Sequence, residues 1–512
     1  MAPTSDILLI TLNATYQHAS FGLRYLKANL RELKPNAQIL EFTLEQSPRQ
    51  IVETVLRFEP KIVGFGVYIW NTRQTQEVVS VLKKLRPELV IILGGPEVSY
   101  ETESQAITQI ADCTIQSEAE ILFYQVCRDF LGQNIRPAKI VSGALPDIKQ
   151  LESPYTEYTD EDIRNRVIYV EASRGCPYRC EFCLSSLDKE VRAFPLEKFL
   201  LDMQQLLDRG VRQFKFVDRT FNLSIPTSQA ILKFFLDRIS LGLFLHFEMV
   251  PDRLPIELRE IIQKFPKGSL QFEIGIQTWN PEVATLISRR QNLEKVKDNF
   301  SFLTQQTHAH LHADLIVGLP GETLQSFQKG FDAVSQLGSS EIQVGILKRL
   351  KGTPIIRHDK PWEMLYQEEP PFSVLQTKTM DFTTIQELSR FAKFWDLFAN
   401  SGNFPKLMTW VRSHPSVFDV FWEFSHFLSK RHPKTHSIAL VKLVESAWRF
   451  LTEEKKVEQV IAREMLLYDY CGRVKRDIPE FLRTPGMRAR EWATIPTAKT
   501  SWTPSRQERH LQ

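Results

Sequence analysis

The chain has 512 residues, more than one hydrophobic core ordinarily holds, so roughly two to four domains are expected. Its 43% hydrophobic and 24% charged residues are those of a globular protein, and a net charge of +3 does not mark a nucleic-acid binder. No apolar run approaches the roughly 18 residues of a membrane span, and Ala-Pro-Thr-Ser-Asp after Met1 lacks the charged and apolar parts of a secretory signal, so a cytoplasmic protein is expected.

Residues 7–12 form the first strand-like run, followed by the polar turn Asn13-Ala14-Thr15 and by Leu23, Leu26 and Leu30 at helical spacing. Residues 39–42 read as a strand and 51–58 as a helix. The run K-I-V-G-F-G-V-Y-I at 61–69 is continuous and rich in β-branched residues, as in a strand buried on both faces. A helix at 75–86 and a strand at 89–93 follow, and that strand ends in Gly94-Gly95-Pro96. Strands alternating with helices predict a doubly wound parallel sheet, with ligands at the carboxyl ends of the strands. Those ends carry Thr15, Tyr16, Trp70, Asn71, Gly94, Gly95 and Pro96. Gly64-x-Gly66 lies inside a strand and lacks a third glycine, so it is not a dinucleotide fingerprint.

A strand at 167–171 leads into E-A-S-R-G-C-P-Y-R-C-E-F-C at 171–183, with Cys176, Cys180 and Cys183 spaced C-x3-C-x2-C. Structural zinc takes four Cys or His ligands, and the nearest downstream histidine is His246. A disulfide needs an oxidising compartment. Three thiolates fill three corners of a [4Fe–4S] cube and leave one iron open to a bound molecule. The other cysteines, Cys113, Cys127 and Cys471, are scattered and read as small buried hydrophobes.

Five further strand-like runs follow, at 213–218, 244–250, 270–277, 310–317 and 342–347, separated by helical patterns at 195–209, 227–241, 256–264, 293–305 and 324–337. With the first strand they make six βα units, which right-handed crossovers curl into a partial barrel. Asp218, Glu248, Glu273, Gln277 and Asp314 interrupt apolar runs; a buried carboxylate is costly without a partner, so together they predict a ligand-filled lumen. Beyond the basic turn at 348–354 and a Pro/Glu-rich stretch at 367–371, helical patterns fill 384–400, 417–430, 437–452 and 457–470. Their frequent aromatics, Phe391, Trp395, Phe421 and Trp448 among them, read as core. From Thr484 the chain turns polar and Pro-rich, which reads as a disordered tail.

The cysteine spacing with Phe182 inside it, and the six βα units, resemble the radical S-adenosylmethionine (SAM) superfamily. The order of elements in 1–150, the Gly94-Gly95-Pro96 turn and Gln116-Ser-Glu-Ala-Glu120 before a helix resemble the cobalamin-binding domain found ahead of many radical SAM cores. The D-x-H-x-x-G motif that supplies a histidine to cobalt is absent, and Ser117-Glu118-Ala119-Glu120 replaces the usual G-E-G-E turn. The C-terminal part resembles an uncharacterised helical extension of B12-type members.

The resemblance implies an α/β chain with an N-terminal Rossmann-like sheet (1–150), a linker (151–165), a partial (β/α)6 barrel (166–370), a C-terminal α-helical region (371–483) and a tail (484–512). It implies a [4Fe–4S] cluster on Cys176, Cys180 and Cys183, SAM on the open iron and cobalamin in the N-terminal domain. For SAM it points to Phe182, Asp218, Glu248, Glu273, Gln277, Arg289 in I-S-R-R-Q-N, and Gly318 with Glu322 in G-L-P-G-E. For cobalamin it points to the strand-end residues named above. A usual G-G-E is replaced by Asp218-Arg219-Thr220.

The implied reaction is reductive cleavage of SAM to methionine and a 5′-deoxyadenosyl radical. Methyl transfer to, or rearrangement of, an unactivated carbon of a small-molecule substrate follows, with electrons from a flavodoxin- or ferredoxin-type donor. The alternatives are a radical SAM enzyme without corrinoid, a methylthiotransferase, whose extra N-terminal cysteine set is not supplied by Cys113 and Cys127, and a non-catalytic iron–sulfur scaffold.

Overall fold

The computed structural model describes residues 5–472 and 476–483. The tail expected from Thr484 onward lies outside the described residues.

The N-terminal part is a six-stranded parallel sheet of β1 (Ile7–Asn13), β2 (Ala37–Thr43), β3 (Ile62–Gly66), β4 (Val90–Gly94), β5 (Cys113–Ile115) and β6 (Ile140–Val141), ordered β2-β1-β3-β4-β5-β6. Strand order reverses between β1 and β3, the switch point of a doubly wound sheet. Every residue of β1 is buried, because helices cover both faces. One apolar layer holds Leu8, Ile10, Val63 and Val78, and the opposite layer Ile7, Leu9, Leu23 and Phe123. Strands β5 and β6 escaped the sequence reading because three- and two-residue strands carry almost no periodicity.

The second sheet runs β7 (Ile168–Val170), a hairpin of β8 (Ser173–Arg174) with β9 (Arg192–Ala193), then β10 (Gln213–Phe216), β11 (Phe244–Met249), β12 (Leu270–Gln277), β13 (His310–Val317) and β14 (Glu341–Ile346). The hairpin apart, these strands pair in parallel in the order β14-β13-β12-β11-β10-β7, the expected partial barrel. β12 alternates buried and half-buried residues along its length: Phe272, Ile274 and Ile276 face the helices while Gln271, Glu273 and Gln277 face the lumen.

The Pro/Glu-rich stretch at 367–371 is the loop of a hairpin, β15 (Leu365–Tyr366) with β16 (Val374–Gln376), rather than an open linker. The helices Phe382–Trp395 and Val417–Arg431 pack on the barrel helix Leu324–Gln336 through Phe331, Phe391, Trp395 and Phe418, so one continuous core joins barrel and C-terminal helices. A helix not foreseen, Pro405–Arg412, completes this layer with Leu440–Arg449 and Gln459–Cys471. Buried Asn400 bonds the backbone N–H and C=O of Ile342 on the edge strand β14 at 3.1 and 3.0 Å. An otherwise unpaired sheet edge is thereby covered.

Candidate functional site

The cysteine loop leaves the carboxyl end of β7, and the β8/β9 hairpin closes its base. Gly175 between them has φ +88°, and a Cβ there would lie 2.1 Å from the Glu190 carbonyl oxygen, so this turn takes only glycine. The Cys176 N–H donates to Asp188 O at 2.9 Å and the Cys183 N–H to Cys180 O at 3.1 Å. Cys176 and Cys180 are buried and Cys183 half-buried.

All three thiols line one cavity of about 230 Å³, together with Phe182, Arg219, Glu248, Glu273, Gln277, Arg289 and Asp314. Among the described residues no three His, Cys, Asp or Glu side chains close on a point fit for a single metal ion. Thiols spread along a cavity wall suit a polynuclear cluster. Arg289 Nη1 donates to Cys180 Sγ at 3.3 Å, and its guanidinium also bonds the carbonyls of Gly275 and, at 3.2 Å, Ile276. Hydrogen bonds to sulfur are among the terms that set a cluster's potential. Gln277 takes φ +71° where β12 shifts register, which turns its side chain into the cavity.

The lumen charges are organised in pairs. Arg219 Nη1 lies 2.8 Å from Glu248 Oε1, and His246 Nε2 lies 3.0 Å from Glu273 Oε2. Burial alone would raise the Glu273 carboxyl, but His246, with Lys215 and His312, holds it down to about 2. Burial pushes Asp314 well above the usual carboxylate range, and the charges of Glu273 and Glu248 add to this. Glu273 also lines a second cavity of about 440 Å³ toward the amino-terminal end of the barrel, walled by Thr15, His18, Tyr169, Lys215 and His312 among others.

Three residues proposed for SAM from the sequence lie outside the cluster cavity. Asp218 is turned back onto the loop, accepting from Ala172 N–H at 3.0 Å and Ser173 Oγ at 2.6 Å, and burial raises its carboxyl to about 7. Its neighbour Arg219 lines the cavity instead. Glu322 is buried and accepts from Thr278 Oγ1 at 2.6 Å, and Gly318, at φ +84°, packs against Val374.

In the N-terminal part a cavity of about 300 Å³ is walled by Gly22, Gly64, Gly66, Gly94 and Gly95, with Tyr25, Tyr68 and Phe123. Glycines from three segments leave backbone as the wall, a cradle that side chains would fill, and this suits a large flat ligand with an apolar tail. Of the residues proposed for cobalamin, Gly94 and Gly95 line this cavity. Asn71 is wholly buried and bonds the carbonyls of Leu12 and Gly66 at 3.1 Å, which makes it a fastener of the sheet. Trp70 stands 48% exposed, stacked at 4.5 Å on Tyr68, and Pro96 is exposed. Tyr16 lies under the Arg166 guanidinium and donates to Glu161, and Thr15 faces the lower lumen. Gly64-x-Gly66, set aside as a nucleotide motif, was the signal for this wall.

The Ser117-Glu118-Ala119-Glu120 turn contributes carboxylates rather than glycines. Arg174, two residues before Cys176, bridges Glu118 and Glu120 at 2.7 Å and Glu171 at 2.9 Å, with its guanidinium 4.6 Å from the Tyr25 ring. At the other rim Lys351 pairs with Glu97 and Arg349 with Glu101. The N-terminal domain is thus fastened to the loops after both β7 and β14.

Comparison with known proteins agrees with this anatomy. Family models match as a B12 binding domain over residues 7–126, the Radical SAM superfamily over 170–334 and a protein of unknown function, DUF4080, over 360–503. An uncharacterized methyltransferase of Pyrococcus horikoshii is 23% identical over 65% of this chain and 76% of its own length. A 2-(S-pantetheinyl)-carbapenam-3-carboxylate methyltransferase of Streptantibioticus cattleyicolor is 23% identical over 63% of this chain, but the match spans only 53% of that relative. The solved structure of the cobalamin-dependent S-adenosylmethionine radical enzyme OxsB, with aqua-cobalamin bound, shares the fold with a TM-score of 0.60 at 13% identity, over 91% of this chain and 79% of that one. The chain is a radical SAM protein with a B12-binding domain. Among the described residues no helix is long and apolar enough to cross a membrane.

Proposed function

We propose that this protein is a cobalamin-dependent radical SAM enzyme that methylates, or rearranges, an unactivated carbon of a small molecule. The supporting observation is the convergence of Cys176, Cys180 and Cys183 with the lumen's paired charges on one cavity. When bound, a [4Fe–4S] cluster supplies one-electron cleavage of SAM, and a corrinoid supplies a transferable methyl group.

The chain's own residues bind and orient. The three thiolates hold the cluster at three corners. Arg289, already beside Cys180, suits the SAM carboxylate, since a guanidinium grips a carboxylate bidentately. Glu248, paired with Arg219, and Glu273, held charged by His246, accept from ammonium and ribose hydroxyl groups. The glycine-walled cavity of the N-terminal part holds the corrinoid.

In this reading residues 1–150 form the corrinoid domain, 151–165 the linker, 166–370 the SAM barrel and 371–483 the helical region. The enzyme works in the cytoplasm and takes electrons from a flavodoxin- or ferredoxin-type donor. A methylthiotransferase reading gains nothing, since Cys113 and Cys127 are buried in the N-terminal core, where burial raises both thiols, Cys113 to about 12.

The test is anaerobic reconstitution with iron, sulfide and hydroxocobalamin. Iron content, the visible spectrum and 5′-deoxyadenosine yield with SAM and dithionite are read on one sample. Bound zinc, or a reducible cluster that yields no 5′-deoxyadenosine, would refute the proposal.

A further inference from the structure

Glu181 stands in the motif between Cys180 and the cavity-lining Phe182, yet its side chain leaves the cavity. It is 2% exposed, and a carboxylate buried that deeply is costly unless its oxygens are met by donors. They are met by residues from two distant segments. Ser288 Oγ donates to Oε1 at 2.5 Å and the Arg357 guanidinium to the same oxygen, while His358 Nε2 lies 2.9 Å from Oε2. The backbone is held too: the Glu181 N–H donates to Ile287 O at 3.1 Å, and its carbonyl accepts from the Ile355 N–H at 3.0 Å.

Arg357 and His358 belong to the 3₁₀ turn Pro354–His358, directly before the segment at 360–503 whose family has no known function. That segment also backs the fifth-strand turn. Thr379 Oγ1 donates to Glu322 O at 2.6 Å, the Trp362 ring would lie 3.1 Å from a Cβ on Gly321, and Val374 would lie 2.5 Å from one on Gly318. The cysteine loop and the G-L-P-G-E turn therefore both rest on the first thirty or so residues beyond β14, a stretch with no thiol of its own.

We propose that the start of the C-terminal region is the clamp of the cluster loop, with Glu181 as the positioning residue through which it acts. Arg357, His358 and Ser288 hold Glu181, and Glu181 fixes the separation of Cys180 and Cys183. A cube accepts three sulfurs only at set separations, whereas a short loop released from its anchor samples many. Removing Glu181, or the groups that hold it, therefore loosens the cluster before it unfolds the barrel. An ion pair that merely stabilised the fold would lower the unfolding temperature and leave the cluster's own properties alone. The inference rests on the cluster assigned to these cysteines above and adds a task for the segment that follows the barrel.

The experiment uses the full chain, reconstituted anaerobically with iron and sulfide. Wild type is compared with Glu181→Ala, Glu181→Gln, Arg357→Met and His358→Leu. Iron and sulfide per chain are measured after gel filtration, the electron paramagnetic resonance spectrum of the reduced cluster is recorded with and without SAM, and far-UV circular dichroism follows the apo-protein. Wild type should hold about four irons. Glu181→Ala should keep under a quarter of them at unchanged dichroism. Glu181→Gln, which retains an acceptor for Ser288, should recover at least half. Arg357→Met and His358→Leu should each shift the spectrum or at least halve the iron. Full iron and an unaltered spectrum in Glu181→Ala would overturn the clamp. If Glu181→Ala fails to fold, full iron with an unaltered spectrum in both Arg357→Met and His358→Leu would overturn it equally. A wild type that takes up no iron would instead sink the cluster reading itself.

Discussion

The chain builds two six-stranded parallel sheets and uses them in opposite ways. In the N-terminal sheet β1 is buried at every position, because apolar layers lie on both of its faces. In the barrel sheet β12 alternates, with one face against helices and the other on a lumen holding Gln271, Glu273 and Gln277. A parallel strand ordinarily reads as a continuous apolar run because it is buried twice. Alternation in a parallel strand therefore means that one face meets something other than protein core. The open sheet offers a ligand its edge and its glycines, while the curled sheet offers its interior.

Substitutions in each sheet test this contrast. The largest effect is expected from Cys180→Ala, which should abolish 5′-deoxyadenosine formation while leaving far-UV dichroism intact; unchanged production would defeat the cluster assignment. Next, Leu9→Ala in the twice-buried layer should cost about 2–5 kcal/mol in denaturant unfolding of the apo-protein, the range for a cavity in a packed core. A loss below about 1 kcal/mol would mean that this face is not core. In the lumen the sign should reverse. The double change His246→Leu with Glu273→Leu replaces a buried polar pair by apolar volume and should leave the apo-protein at least as stable as wild type. SAM-dependent 5′-deoxyadenosine formation should fall at least tenfold, and destabilisation by several kcal/mol would show that the pair is structural rather than ligand-facing.

A pH test separates a fastener from a ligand group. The folded-state value of Asp218 is raised from 3.8 to about 7 by burial, so the folded state binds the proton more tightly than the unfolded state does. Below about pH 4 the group is neutral with respect to folding, and it opposes folding increasingly as pH rises from about 4 to about 7. Asp218→Asn should flatten that part of the apo-protein's stability curve, and an unchanged slope would exclude the assignment. The smallest effect is expected at Arg57, whose exposed ion pair with Glu53 is one helical turn long. Its replacement by alanine should change stability by no more than about 0.5 kcal/mol.

The architecture was largely legible because long parallel strands and amphipathic helices write their burial into residue order. Elements of two or three residues, such as β5, β6 and the β8/β9 hairpin, were not, since so short a stretch has no period. Among site residues, motif spacing placed the thiols and Arg289 in one cavity. Strand-end Asp218 and Asn71 lie outside the two cavities and bond the backbone beside them, because a buried polar group at a strand end serves that backbone as readily as a ligand. Arg174 and Glu181 lie inside the motif, but apart from Glu171 beside Arg174 their side-chain ion-pair partners are 54 or more residues away in sequence, where local spacing does not reach.

Residue order is enough to say where thiols cluster, which strands are buried on both faces and which line a polar interior; these follow from local spacing and the cost of burying unpaired charge. Folding in three dimensions settled which carboxylates face the cavity, which hold the loops, and that the N-terminal domain and the start of the C-terminal region both grip the cysteine loop. Contacts between distant segments leave no period in either one: each partner reads locally as an ordinary polar residue until the chain brings the two together.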